Sequence, residues 1–261
     1  MMEYPYTLKL LYSGSTGNAA LLTAGNTAVL IDAGRSAKAL TAALDAAGVV
    51  PEQLSAIFLT HEHRDHTSAL EVFLKNRTVP VHIVRASAER LCRTASDALR
   101  ERLVIHPPLF TETVGPFTLR SFPTPHDSCC SVGYRIQFSG QTVHEIGYAT
   151  DLGCITPAVE EGLLGCEAVV IECNHDPELL ADGPYPYDLK RRIASRNGHL
   201  SNGDCAAFCA RLAATGTRRL LLAHLSETNN LPELALSEVR AALAGFAVHV
   251  EAAAPDHVTE L

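Results

Sequence analysis

The sequence has no tryptophan, no Cys-x-x-Cys pair, no internal repeat of fixed period and no low-complexity linker. The missing tryptophan excludes no function, but the other absences are informative. No apolar run approaches the ~20 residues that a membrane-spanning helix requires. The longest are short, such as Ala168-Val169-Val170-Ile171. Met1-Met2-Glu3-Tyr4-Pro5 has neither a basic segment nor an apolar one, so no secretory leader and no membrane are expected, and a cytoplasmic location is. Without repeats or linkers, residues 1–261 read as a single domain. Basic charge is also scarce. The net charge of −8 speaks against a protein whose whole surface grips nucleic acid. It leaves room for a local strip, and Lys190, Arg191, Arg192 and Arg196 form one.

Hydrophobic residues are plentiful at 47%, against 19% charged, the balance of a globule with a substantial core. Such a core needs no covalent staples. The eight cysteines accordingly read as reduced, buried thiols, with Cys166 and Cys173 flanking an apolar strand and Cys205 and Cys209 one turn apart on a helix.

Short apolar runs at Leu8–Leu11, Ala20–Thr23 and Ala28–Ile31, separated by Gly-rich turns, predict strands. Ser36–Ala47 has helical composition and stops before Gly48. Ile57–Leu59 is a short buried strand, and Ser68–Leu74 reads as a helix. From about Leu103 to Thr150 the pattern resembles an antiparallel meander, with Phe117–Phe122, Val132–Phe138 and Thr142–Ile146 as strands and Ser139-Gly140 as a turn. Helices at Thr156–Leu164, Leu189–Ser195, Gly203–Ala214 and Pro232–Ala244 then alternate with strands at Ala168–Ile171, Arg219–Leu222 and Ala247–Glu251. Strand-rich and helix-rich stretches in both halves imply two sheets with helices packed outside them.

The chemistry is concentrated in Thr60-His61-Glu62-His63-Arg64-Asp65-His66. Three imidazoles and two carboxylates fall within six positions. After a strand, His61 and His63 point to one face of extended backbone, while Asp65 and His66 fall where the chain turns into a helix. Imidazole and carboxylate suit zinc, and also manganese or iron. This is not the zincin pattern, because Asp65 stands where its second histidine would be.

His-x-His-x-Asp-His after an apolar strand and Thr60 resembles the signature of the metallo-β-lactamase superfamily, an α/β fold built as a four-layer αββα sandwich. The likeness continues in Leu30-Ile31-Asp32-Ala33-Gly34, Thr124-Pro125-His126-Asp127, Ala149-Thr150-Asp151-Leu152-Gly153 and Leu222-Ala223-His224-Leu225-Ser226. It implies two divalent metal ions. His61, His63 and His126 would hold the first, Asp65, His66 and His224 the second, and Asp151 would bridge them. Asp32 is expected to orient the ligand loop rather than to bind metal.

Two such cations acidify a shared water and bind the substrate oxygen that gains charge, so hydrolysis by a bridging hydroxide is the expected mechanism. Asp65 and His199 are taken as catalytic side chains. In Asn197-Gly198-His199-Leu200-Ser201-Asn202, Ser201 precedes a helix and has Asp204 three residues later, a capping-box spacing. Free N–H groups at a helix start attract anions, so His199, Ser201 and Asn202 are candidate phosphate contacts. With Ser13–Asn18, Glu172–Asp176 and His224–Asn230, these segments resemble one branch of the superfamily, the bacterial YycJ/WalJ-type proteins described as DNA exonuclease-like hydrolases. The resemblance implies DNA or another phosphodiester as substrate. A thioester or lactone hydrolase on the same core is the alternative, and a metal-bearing scaffold without turnover is a third. The chain lacks a β-CASP-like insertion and a tRNA-binding arm. Cys129, Cys130 and Cys173 fall near the expected site but are not expected to be ligands, and His175 is left between a supporting role and an ordinary loop position.

Overall fold

A computed structural model describes residues 6–261; the N-terminal pentapeptide discussed above lies outside the described residues. The first half builds one sheet. Strands β1 (Thr7–Tyr12), β2 (Ala19–Ala24) and β3 (Thr27–Ile31) run antiparallel. Helix α1 (Ala37–Ala46) follows, its first turn capped by Ser36, whose hydroxyl accepts the Ala39 N–H. Next come β4 (Leu54–Phe58), the short helices α2 (Arg64–Thr67) and α3 (Leu70–Phe73), β5 (Val81–Val84), α4 (Arg85–Leu91), α5 (Asp97–Arg100) and β6 (Leu103–His106). Strands β3 to β6 are parallel neighbours.

The second sheet starts with the antiparallel strands β7 (Thr111–Val114), β8 (Phe117–Thr124), β9 (Ser131–Ser139) and β10 (Val143–Ala149). After α6 (Pro157–Leu163) come β11 (Ala168–Glu172), α7 (Pro177–Asp182), α8 (Tyr187–Ile193), α9 (Asn202–Ala214), β12 (Arg219–Ala223), α10 (Pro232–Ala242), β13 (His249–Ala252) and β14 (Thr259–Glu260). Strands β10 to β13 are parallel, while β14 crosses back to the first sheet beside β1.

Three apolar clusters make the layers. Leu10, Val29, Ile31 and Phe58 of the first sheet meet Phe117, Tyr134, Ile136 and Val170 of the second. Leu40, Leu44, Leu70 and Phe73 cover the first sheet's outer face, and Val159, Phe208, Leu212 and Val239 cover the second's. Each fully buried side chain of this size is worth about 1.5–3 kcal/mol relative to exposure. The result is the expected αββα sandwich. No helix among the described residues is long and apolar enough to cross a membrane.

Three expectations need correction. Of the eight cysteines, Cys166, Cys173, Cys205 and Cys209 are buried, but Cys92, Cys130 and Cys154 are half-buried and Cys129 is exposed. Leu103–His106 is not part of the second-sheet meander; it is the parallel edge strand of the first sheet, and its exposed Val104 and Ile105 hide the burial that would mark it. The helix expected at Ser68–Leu74 is α3 alone, separated from α2 by a turn. The Asp65 carbonyl accepts the Asn18 N–H, and the Ala69 N–H goes to the Ala33 carbonyl, so no helical bond joins residues 65 and 69.

Candidate metal centre

Parallel strands leave a cleft at their carboxyl ends, and here the two sheets open at the same place. Asp32 follows β3, Thr60 and His61 follow β4, Asp151 follows β10, Glu172 ends β11 and His224 follows β12. Asp32, Asp151 and His224 have φ of 61°, 57° and 54°. Left-handed backbone at residues other than glycine costs of order 1–3 kcal/mol each and persists where the surroundings enforce it. All three side chains are buried at this junction.

The motif is stitched into place by its backbone. The His66 carbonyl accepts the Ala33 N–H at 2.8 Å, and the Asp65 carbonyl accepts the Asn18 N–H at 2.8 Å. Gly34 lies in that seam, where a Cβ would stand 1.9 Å from the Asp65 carbonyl oxygen. Only glycine fits there.

The imidazoles are oriented by acceptors behind them. The buried Asp32 carboxylate accepts the Thr60 N–H at 2.8 Å, the Thr60 hydroxyl at 3.0 Å and His66 Nδ1 at 2.8 Å. With its hydrogen committed to Asp32, the Thr60 hydroxyl oxygen accepts from His61 Nδ1 at 3.0 Å. His126 Nδ1 donates to the Gly198 carbonyl at 3.2 Å, and His224 Nδ1 donates to Glu172 Oε1 at 2.8 Å. Carbonyls and carboxylates only accept, so in His61, His66, His126 and His224 it is Nδ1 that points away as a donor and Nε2 that faces the cleft.

Two donor sets fill the cleft, and a third, Asp151, Glu172, His199 and His224, overlaps the second. His61, His63 and His126 form one; Asp65, His66, Asp151 and His224 form the other, with ligand atoms within 4.8 Å of one another in each. Asp151 lies between them, 3.2 Å from His66 Nε2, 3.6 Å from His224 Nε2 and 3.8 Å from His126 Nε2. His61 Nε2 and His224 Nε2 are buried with no hydrogen-bond partner. Buried polar atoms are rarely left so, and these aim at the centres of the two sets. The donor chemistry fits divalent cations.

The electrostatics agree. Burial and the neighbouring His66, His126 and His63 push His61 well below the ordinary imidazole value, which keeps it a neutral donor. Burial alone would also lower His66, but Asp151, Asp32 and Asp65 outweigh it and raise that ring well above. A cation would meet this negative charge.

Several contributing residues lie in segments that the sequence singles out without assigning them a task. Glu172 is wholly buried in an apolar strand; Oε1 accepts from both His199 Nδ1 and His224 Nδ1 at 2.8 Å, while Oε2 accepts the Leu152 and Leu200 N–H groups. Burial would raise its carboxyl, but His199 and His224 hold it at about 2. Asn18 Nδ2 lies 3.2 Å from His66 Nε2 and 3.5 Å from Asp65 Oδ2. Asn174 Nδ2 donates to the His224 carbonyl at 2.8 Å.

The structure brings His61, His63, Asp65, His66, His126, Asp151 and His224 together, with His199 at the edge, 4.0 Å from Asp151. It does not place Asn202 there. That side chain is fully buried and bonded to Asn230 and to the Cys173 thiol, so it has no group left for a phosphate. Capping spacing locates a helix start but not the direction of each side chain around it. The Ser201 hydroxyl is engaged with Asp204, accepting its N–H at 3.1 Å and donating to its carboxylate at 2.8 Å. Cys129, Cys130, Cys173 and His175 lie outside these donor sets.

Another imidazole pair lies away from this centre. His82 of β5 and His106 of β6 have facing nitrogens 2.9 Å apart, ring centres 5.1 Å apart and planes 13° apart. The rings meet edge to edge, one N–H pointing at the other ring's lone pair. A cation has no room between them, although Glu112 is close enough to complete a donor trio. Phe58 stacks on His82 and Phe110 on His106. Burial and His106 push His82 down to about 4, against the pull of Glu112. An unfolded chain titrates this group near the ordinary value of about 6.5 and so binds more protons than the fold between there and about 4. Stability from this pair is therefore present above that window and lost as pH falls through it. Thermal unfolding at about pH 7 and about pH 4.5 is expected to show a steeper acid-side loss for the wild type than for His82→Gln, which keeps a donor and an acceptor but does not titrate.

Known proteins resemble this chain over most of its length. Residues 27–225 match a family described as the beta-lactamase superfamily domain. The exodeoxyribonuclease YycJ of Bacillus anthracis is 32% identical over 241 residues, covering 92% of this chain and 90% of that protein. The exodeoxyribonuclease WalJ of Streptococcus pneumoniae serotype 2 is 31% identical over 239 residues, covering 90% and 87%. In fold, the metallo-beta-lactamase fold protein YhfI from Bacillus subtilis is similar with a TM-score of 0.74 at 20% identity, covering 99% of this chain and all of that one.

Proposed function

The chain belongs to the metallo-β-lactamase superfamily of metal-dependent hydrolases, and from that premise we propose that it cleaves DNA phosphodiester bonds at a strand end, using two divalent cations. His61, His63 and His126 would hold one cation, and Asp65, His66 and His224 the other, with Asp151 shared. Zinc, manganese and iron all accept this donor set. Bound there, the cations supply an acidified water and polarise the phosphoryl oxygens. Asp65 combines two tasks, offering a carboxylate oxygen to the second position and standing 3.7 Å from His224 Nε2. Asp32 holds His66 and, through Thr60, His61 from behind, while Asn18 lies beside the cleft-facing His66 Nε2 and Asp65 Oδ2.

The observation that carries the phosphodiester reading is the placement of His199. Neither donor trio needs it, yet Glu172 fixes its Nδ1–H so that the opposite nitrogen is free to exchange a proton at the edge of the cleft. Burial alone would lower its pKa, but the Glu172 charge raises it, which favours a ring able to donate. A departing sugar alkoxide needs a proton, whereas a departing thiolate, whose acid has a pKa of about 8.5, does not. Arg192 reaches Asp127, the residue after His126, which places a guanidinium with further N–H donors beside the same edge. Both features suit a phosphodiester better than a thioester.

The test is to offer the metal-loaded protein bis(p-nitrophenyl) phosphate, end-labelled DNA, a generic thioester and a lactone. Hydrolysis of the first two, with mononucleotides released from an end of the DNA, is expected. Turnover of the thioester or lactone alone would overturn the reading.

A further inference from the structure

Helix α8, with the turn that follows it, is the one basic strip recognised in an otherwise acidic sequence, and it has no buried side chain. A helix with no fully buried side chain needs another reason for its position. Its C-terminal turn is nevertheless fixed to the metal centre. The His199 N–H donates to the Ile193 carbonyl at 2.8 Å, His126 Nδ1 donates to the Gly198 carbonyl, and Arg192 pairs with Asp127. Gly198 permits this closeness, since a Cβ there would stand 2.2 Å from the Arg192 and Ile193 carbonyl oxygens. The free end of the helix carries Tyr187, whose 73% exposure is the largest among the described large hydrophobic residues. The guanidinium of Arg191, one turn on, lies 5.7 Å from the centre of its ring.

Resting on the phosphodiester reading above, we propose that α8 receives an unpaired DNA strand, with a nucleobase stacked on Tyr187 and the flanking phosphates on Arg191 and Arg196. An exposed ring beside a guanidinium is a platform that any base face can cover, and arginines spaced along the same strip match the repeating charge of the backbone. The helix's attachment to His126 and His199 leads that strand into the cleft. Paired bases hide their faces inside the duplex, so this device selects a strand whose end is unpaired.

The test uses the metal-loaded full-length protein, an end-labelled oligothymidylate and a blunt hairpin duplex, with binding read by fluorescence anisotropy. Wild-type digestion of labelled DNA is established first; if none occurs, the nuclease reading fails and this inference falls with it. With digestion established, Tyr187→Ala is expected to raise the oligothymidylate Kd about tenfold, and Tyr187→Phe, which keeps the ring, less than about twofold. For the hairpin, the Tyr187→Ala change is expected to be less than about twofold. Arg191→Gln combined with Arg196→Gln is expected to flatten the salt dependence of oligothymidylate binding, lowering the magnitude of the slope of log K against log salt by about 1.4, about 0.7 for each lost phosphate contact. Unchanged oligothymidylate binding in Tyr187→Ala, or an equal loss for hairpin and single strand, overturns the inference and leaves the nuclease reading standing.

Discussion

Asp151→Asn is expected to lower phosphodiester turnover by more than about 100-fold and to leave the purified protein short of at least one of the two proposed cations. Removing groups that merely orient metal ligands typically costs about 10- to 100-fold, so loss of a carboxylate serving both positions should exceed that range. Asp151 is the described carboxylate that reaches His66, His126 and His224 at once. Asparagine is the informative replacement because its shape is retained and it tolerates the left-handed backbone at this position. Alanine would confound lost ligation with backbone strain. Metal content measured on the folded variant, beside kcat/KM for bis(p-nitrophenyl) phosphate, separates the possibilities. A variant that keeps both cations and wild-type turnover would remove Asp151 as the bridge.

The candidate metal-ligating cluster is legible in the sequence because much of its chemistry is local. His61, His63, Asp65 and His66 lie within one strand end and one helical turn, so backbone geometry alone puts them near a common point. Glu172 is the opposite case. Along the chain it ends an apolar strand, and its task arises only because β11 lies between β10 and β12, which deliver Asp151 and His224 to its two sides. Asn18 likewise meets Asp65 across 47 residues of sequence separation. The strands nearest the site were legible from their apolar runs, whereas β6 was assigned to the wrong sheet because an edge strand with exposed Val104 and Ile105 lacks the inside–outside pattern of a covered one. Asn202 shows the same limit at a smaller scale. Spacing located the start of α9, but the surrounding Asn230 and Cys173 decide that its amide turns inward.

Glu172→Gln carries the other large expected effect, a fall in kcat of about 10- to 100-fold, towards the upper end because two imidazoles lose their anchor together. As a carboxylate, Glu172 accepts four hydrogens, two from imidazoles and two from backbone N–H groups. Glutamine has one accepting oxygen and one donating NH2, so in either orientation two of those donors face another donor. If the NH2 faces the rings, His199 and His224 are driven to the other tautomer, and their cleft-facing nitrogens are no longer arranged as before. The pH profile distinguishes this positioning role from simple loss of stability. The Glu172 charge raises the His199 pKa against the pull of burial. Neutralising that charge lowers it, so activity that depends on protonated His199 is expected to fail at lower pH, with the alkaline limb of kcat moving to the acid side. Glu172→Asp, which keeps the charge, should move that limb less than glutamine does. A limb that stays in place in Glu172→Gln while kcat falls would show that His199 does not supply the proton.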